Sequence, residues 1–156
     1  MNVRRTALKT LLPALVLALA CFAAPNAEAQ DGQLKKSLYE RVGGYDAIAA
    51  VVDDFVGRLV GDKKFERFFA GHSTDSKKRI RQHIVDQLCA AAGGPCIYTG
   101  RTMKDSHVGL GITEDDWNAS AKHLVATLDK FKVPEAEKKE LLDVVTSLKG
   151  DIVEKK

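Results

Sequence analysis

Between Gly93 and Thr113 the chain reads GGPCIYTGRTMKDSHVGLGIT, a run that suits neither a helix nor a strand. Gly93, Gly94, Gly100, Gly109, Gly111 and Pro95 interrupt any helical register, because glycine frees the backbone and proline removes a donor. The same run nevertheless carries Tyr98, Met103, His107 and Ile112, which a solvated loop has no use for. Helical bundles join their helices by short connections. A segment of about twenty irregular residues in the middle of one therefore implies that something other than protein fills the space beside it.

On both sides of that segment the apolar pattern is helical. Ile48, Val52, Phe55, Val56 and Leu59 recur at spacings of three and four, which predicts an amphipathic helix between Gly43-Gly44 and Gly61-Asp62. A short helix around Leu38 to Val42 precedes it, and Phe65, Phe68 and Phe69 fall on a turn or short helix after it. A second long helix is expected from about Ser76 to Ala92, with Ile80, Ile84 and Leu88 on one stripe. Thr113, with Asp116 three residues on, predicts a capping box for a helix pointing Trp117, Ala121, Leu124, Val125 and Leu128 inward. Pro134 suits the first turn of the last helix, whose inward set is Leu141, Val144, Val145, Leu148 and Ile152. No sustained period-two alternation marks a strand. The fold class is all-α.

The amino terminus reads as a targeting segment. Arg4, Arg5 and Lys9 precede an apolar run from Leu11 to Ala24, and Ala27-Glu28-Ala29 offers small residues for cleavage. The expected organisation is a signal peptide over 1–29, a flexible lead-in over 30–37 and one domain over 38–156. An uncleaved anchor is the alternative, although the run is short for a bilayer. RRTALK resembles a twin-arginine signal, a route taken by folded, cofactor-loaded proteins, and ALAC ending at Cys21 is a poorer match to a lipoprotein box. The expected location is periplasmic or secreted, without stable membrane insertion after cleavage. Cleavage removes three basic residues and one acid, so the formal charge of +3 falls to +1. Such a balance gives no argument for a nucleic-acid partner or an anionic membrane surface.

Two cysteines then remain, Cys89 and Cys96, in a compartment that permits disulfides. The bend at Gly93-Gly94-Pro95 allows them to meet, the alternative being two small apolar residues that never do. Of the histidines, His72 and His123 read as surface or boundary residues. His83 shares a helical face with Ile80, Ile84, Gln87 and Leu88, where a partly buried histidine bonded to a neighbour is the bland reading. His107, between Met103 and Leu110, suits ligation of a metal held by something other than protein. Cys89, Cys96, His83 and His107 match no compact zinc spacing, and there is no C-x-x-C-H for covalent haem attachment.

LYERVGG from Leu38, VVDDFV from Val51, RFFAG from Arg67, the Gly93–Thr113 run and HLVATLDKFKVP from His123 occur in an order similar to that of group 1 truncated haemoglobins. The resemblance covers Leu38 to about Ile152. It implies a two-over-two helical sandwich around haem b, with a largely irregular segment in place of a full proximal helix. His107 matches the proximal iron ligand. Phe69 matches the residue packed on the haem plane, Phe55 one near the distal side, and Ile80 and Ile84 positions on the helix that roofs the iron. Met103, Ile112 and Trp117 match apolar haem contacts, though core filling is an equal account of these three. His83 stands where some members present a sixth iron ligand.

Two departures from the family pattern bear on activity. Many members place tyrosine where Val56 stands, and glutamine where Ile84 stands. The function implied is reversible binding of a diatomic gas, oxygen or nitric oxide, or electron exchange through the haem with a redox partner. Dioxygenation of nitric oxide, known in the family, draws on a stable oxygen complex that Val56 and Ile84 do not support with hydrogen bonds. The alternative from another class is a globin-like structural or interaction protein without haem.

Overall fold

The computed structural model describes residues 36–155. The expected signal over 1–29, Cys21 and most of the lead-in lie outside them. The described elements are α1 (Leu38–Arg41), α2 (Gly44–Gly61), a 3₁₀ turn (Lys63–Phe65), α3 (Glu66–Phe69), α4 (Thr74–Ala91), α5 (Met103–His107), α6 (Glu114–Lys130), α7 (Glu135–Ser147) and α8 (Lys149–Ile152). Among the described residues the β pairing is one isolated bridge, Thr113 with Lys155.

Local chemistry sets where these helices start. Ser37 and Glu40 form a capping box on α1, and the Ser73 side chain accepts the Ser76 N–H at the start of α4. The box expected from Thr113 and Asp116 is present on α6. Three expectations need correction. Pro134 is the residue before α7 rather than part of its first turn, so its missing N–H costs the helix nothing. The last helix stops at Ser147, where Leu148 N–H closes on the Val145 carbonyl in a tighter turn, and resumes as α8. Val144, Val145, Leu148 and Ile152 are accordingly half-buried, while Leu141 is buried.

The third correction falls in the glycine-rich run. It is not wholly irregular, because α5 forms within it. The Thr102 side chain accepts the Asp105 N–H, and the Asp105 carboxylate accepts the Thr102 hydroxyl at 2.7 Å.

Helix α2 is the central element, with α4 and α6 packed along it. Ile48, Ala49 and Val52 join Val85, Cys89 and Ala92 in one buried cluster, on which Val56, Ile84 and Leu88 pack. Leu124, Leu128 and Leu141 form the other, with Val51 and Phe55 against it. Adjacent residues of α2 thus serve different cores, Phe55 towards α6 and α7 and Val56 towards α4. A polar link ties α2 to α6: Asp54 accepts the hydroxyl of buried Thr127 at 2.8 Å and pairs with Lys130 and, at 2.6 Å, with Arg58. Lys130 and Arg58 hold the Asp54 carboxyl well below the usual carboxylate range.

Cys89 and Cys96 form a disulfide, with their α-carbons 5.7 Å apart. It pins the start of the glycine-rich segment to the last turn of α4. Gly94 lets the chain pass: a β-carbon there would stand 2.5 Å from the Tyr39 ring and 2.8 Å from the Cys89 carbonyl oxygen. Because the closed loop is short, Cys96→Ser should cost roughly 2 kcal/mol in urea unfolding. Two titratable thiols in protein isolated under oxidising conditions would contradict the bond itself.

Candidate functional site

The site begins with α5. This helix has room for Met103 and His107 on the same side, four residues apart. His107 Nδ1 lies 2.7 Å from the Met103 carbonyl oxygen. A carbonyl only accepts, so Nδ1 donates, and the lone pair is left on Nε2. That is the tautomer a metal-binding imidazole requires, with its second nitrogen already oriented by the backbone. The ring is half-buried.

The chain behind His107 is held by the carboxyl-terminal tail. Gly109 and Gly111 adopt φ of 83° and 64°, the left-handed region that glycine enters without strain. Their N–H groups both donate to the Glu154 carboxylate, at 2.8 Å for Gly111. The Ile112 carbonyl accepts the Glu154 and Lys155 N–H groups at 2.9 and 3.1 Å, and Glu114 N–H donates to the Lys155 carbonyl at 3.1 Å. Nothing in the polar sequence VEKK signals this strap; it was missed because its partners lie more than forty residues away.

On α4, Ile80, His83, Ile84 and Gln87 form a half-buried stripe. His83 meets the Tyr98 ring edge-on, with centroids 6.0 Å apart and planes at 77°. Tyr98 belongs to the glycine-rich segment and donates its hydroxyl to the Arg101 carbonyl at 2.6 Å. Gly100 allows that fold-back, since a β-carbon there would lie 2.4 Å from the tyrosine ring. His83 Nδ1 and Gln87 Oε1 are buried without a hydrogen-bond partner. Sequence reasoning placed Gln87 on the right face but gave neither it nor Tyr98 a role.

The remaining expected residues divide among neighbouring surfaces. Phe55 and Trp117 line one small cavity with Ala121, Leu124, Leu142 and Val145. Val56 and Ile84 share the core cluster between α2 and α4. Phe69 ends α3, Met103 opens α5 and Ile112 is bonded to the strap through its carbonyl, all half-buried. His72 is exposed, and His123 Nε2 bonds Asp62 at 2.8 Å, which draws the Asp62 carboxyl down. Among the described residues no group of three His, Cys, Asp or Glu side chains is placed to hold an ion. A metal at His107 would therefore bring other ligands with it, and the apolar, half-buried surroundings suit a planar, largely apolar cofactor.

If the tail fixes the His107 loop, Glu154→Ala should speed amide hydrogen exchange at Gly109 and Gly111 by about tenfold or more, as loss of bonds to a charged acceptor implies. Unchanged exchange at both glycines would mean that the strap holds nothing.

Comparison with known proteins follows the same outline. The bacterial-like globin family model matches residues 37–154. Group 1 truncated hemoglobin GlbN of Nostoc sp. (strain MUN 8820) is 38% identical over 119 residues, covering 76% of this chain and 98% of its own. The group 1 truncated hemoglobin of Tetrahymena pyriformis is 29% identical over 120 residues, covering 77% and 97%. Among solved structures, the Fe(III) form of truncated hemoglobin from Tetrahymena pyriformis superposes with a TM-score of 0.69 at 28% identity, over 76% of this chain and 98% of that one. The 2/2 hemoglobin of Synechococcus sp. PCC 7002, in the cyanomet state with covalently attached heme, gives 0.68 at 30% identity over the same shares.

Proposed function

The chain belongs to the group 1 truncated haemoglobins of the bacterial-like globin family, and on that premise we propose that it binds haem b through His107 and reversibly takes up a diatomic gas, oxygen or nitric oxide. The observation that carries the reading is the bond from His107 Nδ1 to the Met103 carbonyl, which leaves Nε2 as the free ligand. When bound, haem supplies an iron with a further coordination position at which such a gas attaches. The protein's part is to hold the imidazole, exclude water and set the polarity opposite it.

Phe55, Val56, Phe69, Ile80, Ile84, Met103, Ile112 and Trp117 are the side chains that would surround the haem. Val56 and Ile84 offer no hydrogen-bond donor to a polar ligand, so gas binding here leans on apolar contact and on the iron itself. His83 is the one imidazole on the α4 stripe, and its Nδ1 has no protein partner. It would serve as an internal sixth ligand that competes with the gas, at the high effective concentration of a tethered group. A pocket of this kind also suits electron exchange with a redox partner. Export to the periplasm or beyond, by a signal over residues 1–29, is part of the same reading and accords with the Cys89–Cys96 disulfide.

In the purified protein we expect a Soret band. His107→Ala should lose most of its haem on gel filtration; full retention with an unchanged ferrous–carbon monoxide spectrum would exclude His107 as the ligand. A preparation that never binds added haem would point instead to a haem-free scaffold. The resting spectrum should be low-spin and six-coordinate, reverting towards high spin in His83→Leu. A wild-type spectrum already high-spin and five-coordinate would place His83 off the iron.

A further inference from the structure

His107 is the first residue of a tight turn as well as the last of α5. Val108 has φ −57° and ψ 132°, Gly109 has φ 83°, and Leu110 N–H donates to the His107 carbonyl at 3.1 Å. These are the angles and the bond of a type II β-turn, whose third position needs the left-handed backbone that glycine supplies. The N–H of that third residue has no acceptor inside the turn. Here Gly109 N–H, and Gly111 N–H two residues on, donate to separate oxygens of the Glu154 carboxylate, the latter at 2.8 Å. The tail that carries Glu154 is bonded independently of the turn. Glu154 and Lys155 N–H groups donate to the Ile112 carbonyl, Glu114 N–H donates to the Lys155 carbonyl at 3.1 Å, and Val153 N–H closes α8 on the Lys149 carbonyl at 2.9 Å. By contrast, among the described residues the hydrogen bonds of α5 itself stay within residues 101–110. The carboxylate of Glu154 is thus the polar tie from the His107 turn to the rest of the molecule.

We propose that Glu154 is a positioning residue for the iron ligand: its two carboxylate oxygens hold the turn after His107, and the turn keeps the imidazole bonded to the Met103 carbonyl with Nε2 free for the haem iron. For its consequence at the iron the inference rests on the haem reading above, whereas the link from Glu154 to the imidazole stands without it. Bonds from N–H groups to a carboxylate are stronger than those between neutral groups. A five-residue helix cannot supply the same hold, and it frays first at its ends. His107 lies at the end that the turn secures. Once that end opens, His107 Nδ1 parts from the Met103 carbonyl and the choice of tautomer is lost. Groups that orient a ligating histidine in this way are worth about 10–100-fold in metal affinity. Glu154 acts at one remove, since it bonds the turn and not the ring.

Two variants test the link from its two ends. Glu154→Gln keeps the length and backbone bonds of the tail but leaves one acceptor oxygen for two donors. Gly109→Ala attacks the turn, where an added β-carbon meets nothing within 4 Å, so that only the φ of 83° is at stake. In the haem-free chain labelled with nitrogen-15 in its histidines, nuclear magnetic resonance at mildly alkaline pH reads the His107 tautomer. The expected proton is on Nδ1 in the wild type, with Nε2 protonation growing in both variants. In the haem-loaded His83→Leu background, each variant should release haem to a scavenging apoprotein about tenfold faster and broaden the iron–histidine stretching band. The double variant should lose no more than the worse single one, because both changes act on one turn. A wild-type proton on Nε2 overturns the proposal. So does a Glu154→Gln protein with an unchanged tautomer or an unchanged rate of haem loss, or a double variant whose losses add. A chain that takes up no haem would sink the haem reading alone, and the tautomer would then decide by itself.

Discussion

The bond between the His107 imidazole and the Met103 carbonyl decides which ring nitrogen is free, and it exists only while one turn of helix stays folded. A helix of five residues has no stability of its own. It persists here because the chain is tied on both sides. Upstream, the Cys89–Cys96 bridge fastens the segment to α4, which is itself seated on α2 through the Val52–Val85–Cys89 cluster. Downstream, the Glu154 carboxylate and the Ile112–Lys155 backbone bonds hold the turn that follows His107. The glycines supply the shape and these ties supply the rigidity. Neither would deliver an oriented imidazole alone.

The α2–α4 side of the molecule follows a different logic. Val56 and Ile84 pack on the core cluster between α2 and α4. His83 Nδ1 and Gln87 Oε1 on α4 stand buried beside them, with Tyr98 against the imidazole edge. On the proposed reading, such a composition would do little to stabilise a polar bound gas and would leave His83 as the nitrogen nearest to hand on this helix.

Most of the architecture was legible because its signals are periodic or local. The stripes on α2, α4 and α6 and the Thr113–Asp116 box are contained within a few turns of sequence. The α5 helix escaped notice although Thr102 and Asp105 form a start signal of the same kind, since the glycines around it argued for a loop. The break at Leu148 escaped because a 3₁₀ closure leaves the apolar spacing nearly unchanged. His107 could be singled out from its apolar setting, yet its tautomer could not, as that depends on where a carbonyl points. Glu154 and the Asp54–Thr127 bond join residues far apart in the chain, and charge in a polar stretch carries no record of its partner.

Central to this account is an iron held by a neutral imidazole whose other nitrogen is bound to a backbone carbonyl. Resonance Raman spectroscopy of the ferrous His83→Leu protein addresses that claim most directly, because removing the competing imidazole leaves the iron with its single protein ligand. The expected result is one iron–histidine stretching band in the range of a neutral, hydrogen-bonded imidazole. A spectrum lacking any iron–histidine band, or one indicating a bare or strongly anionic imidazole, would contradict it.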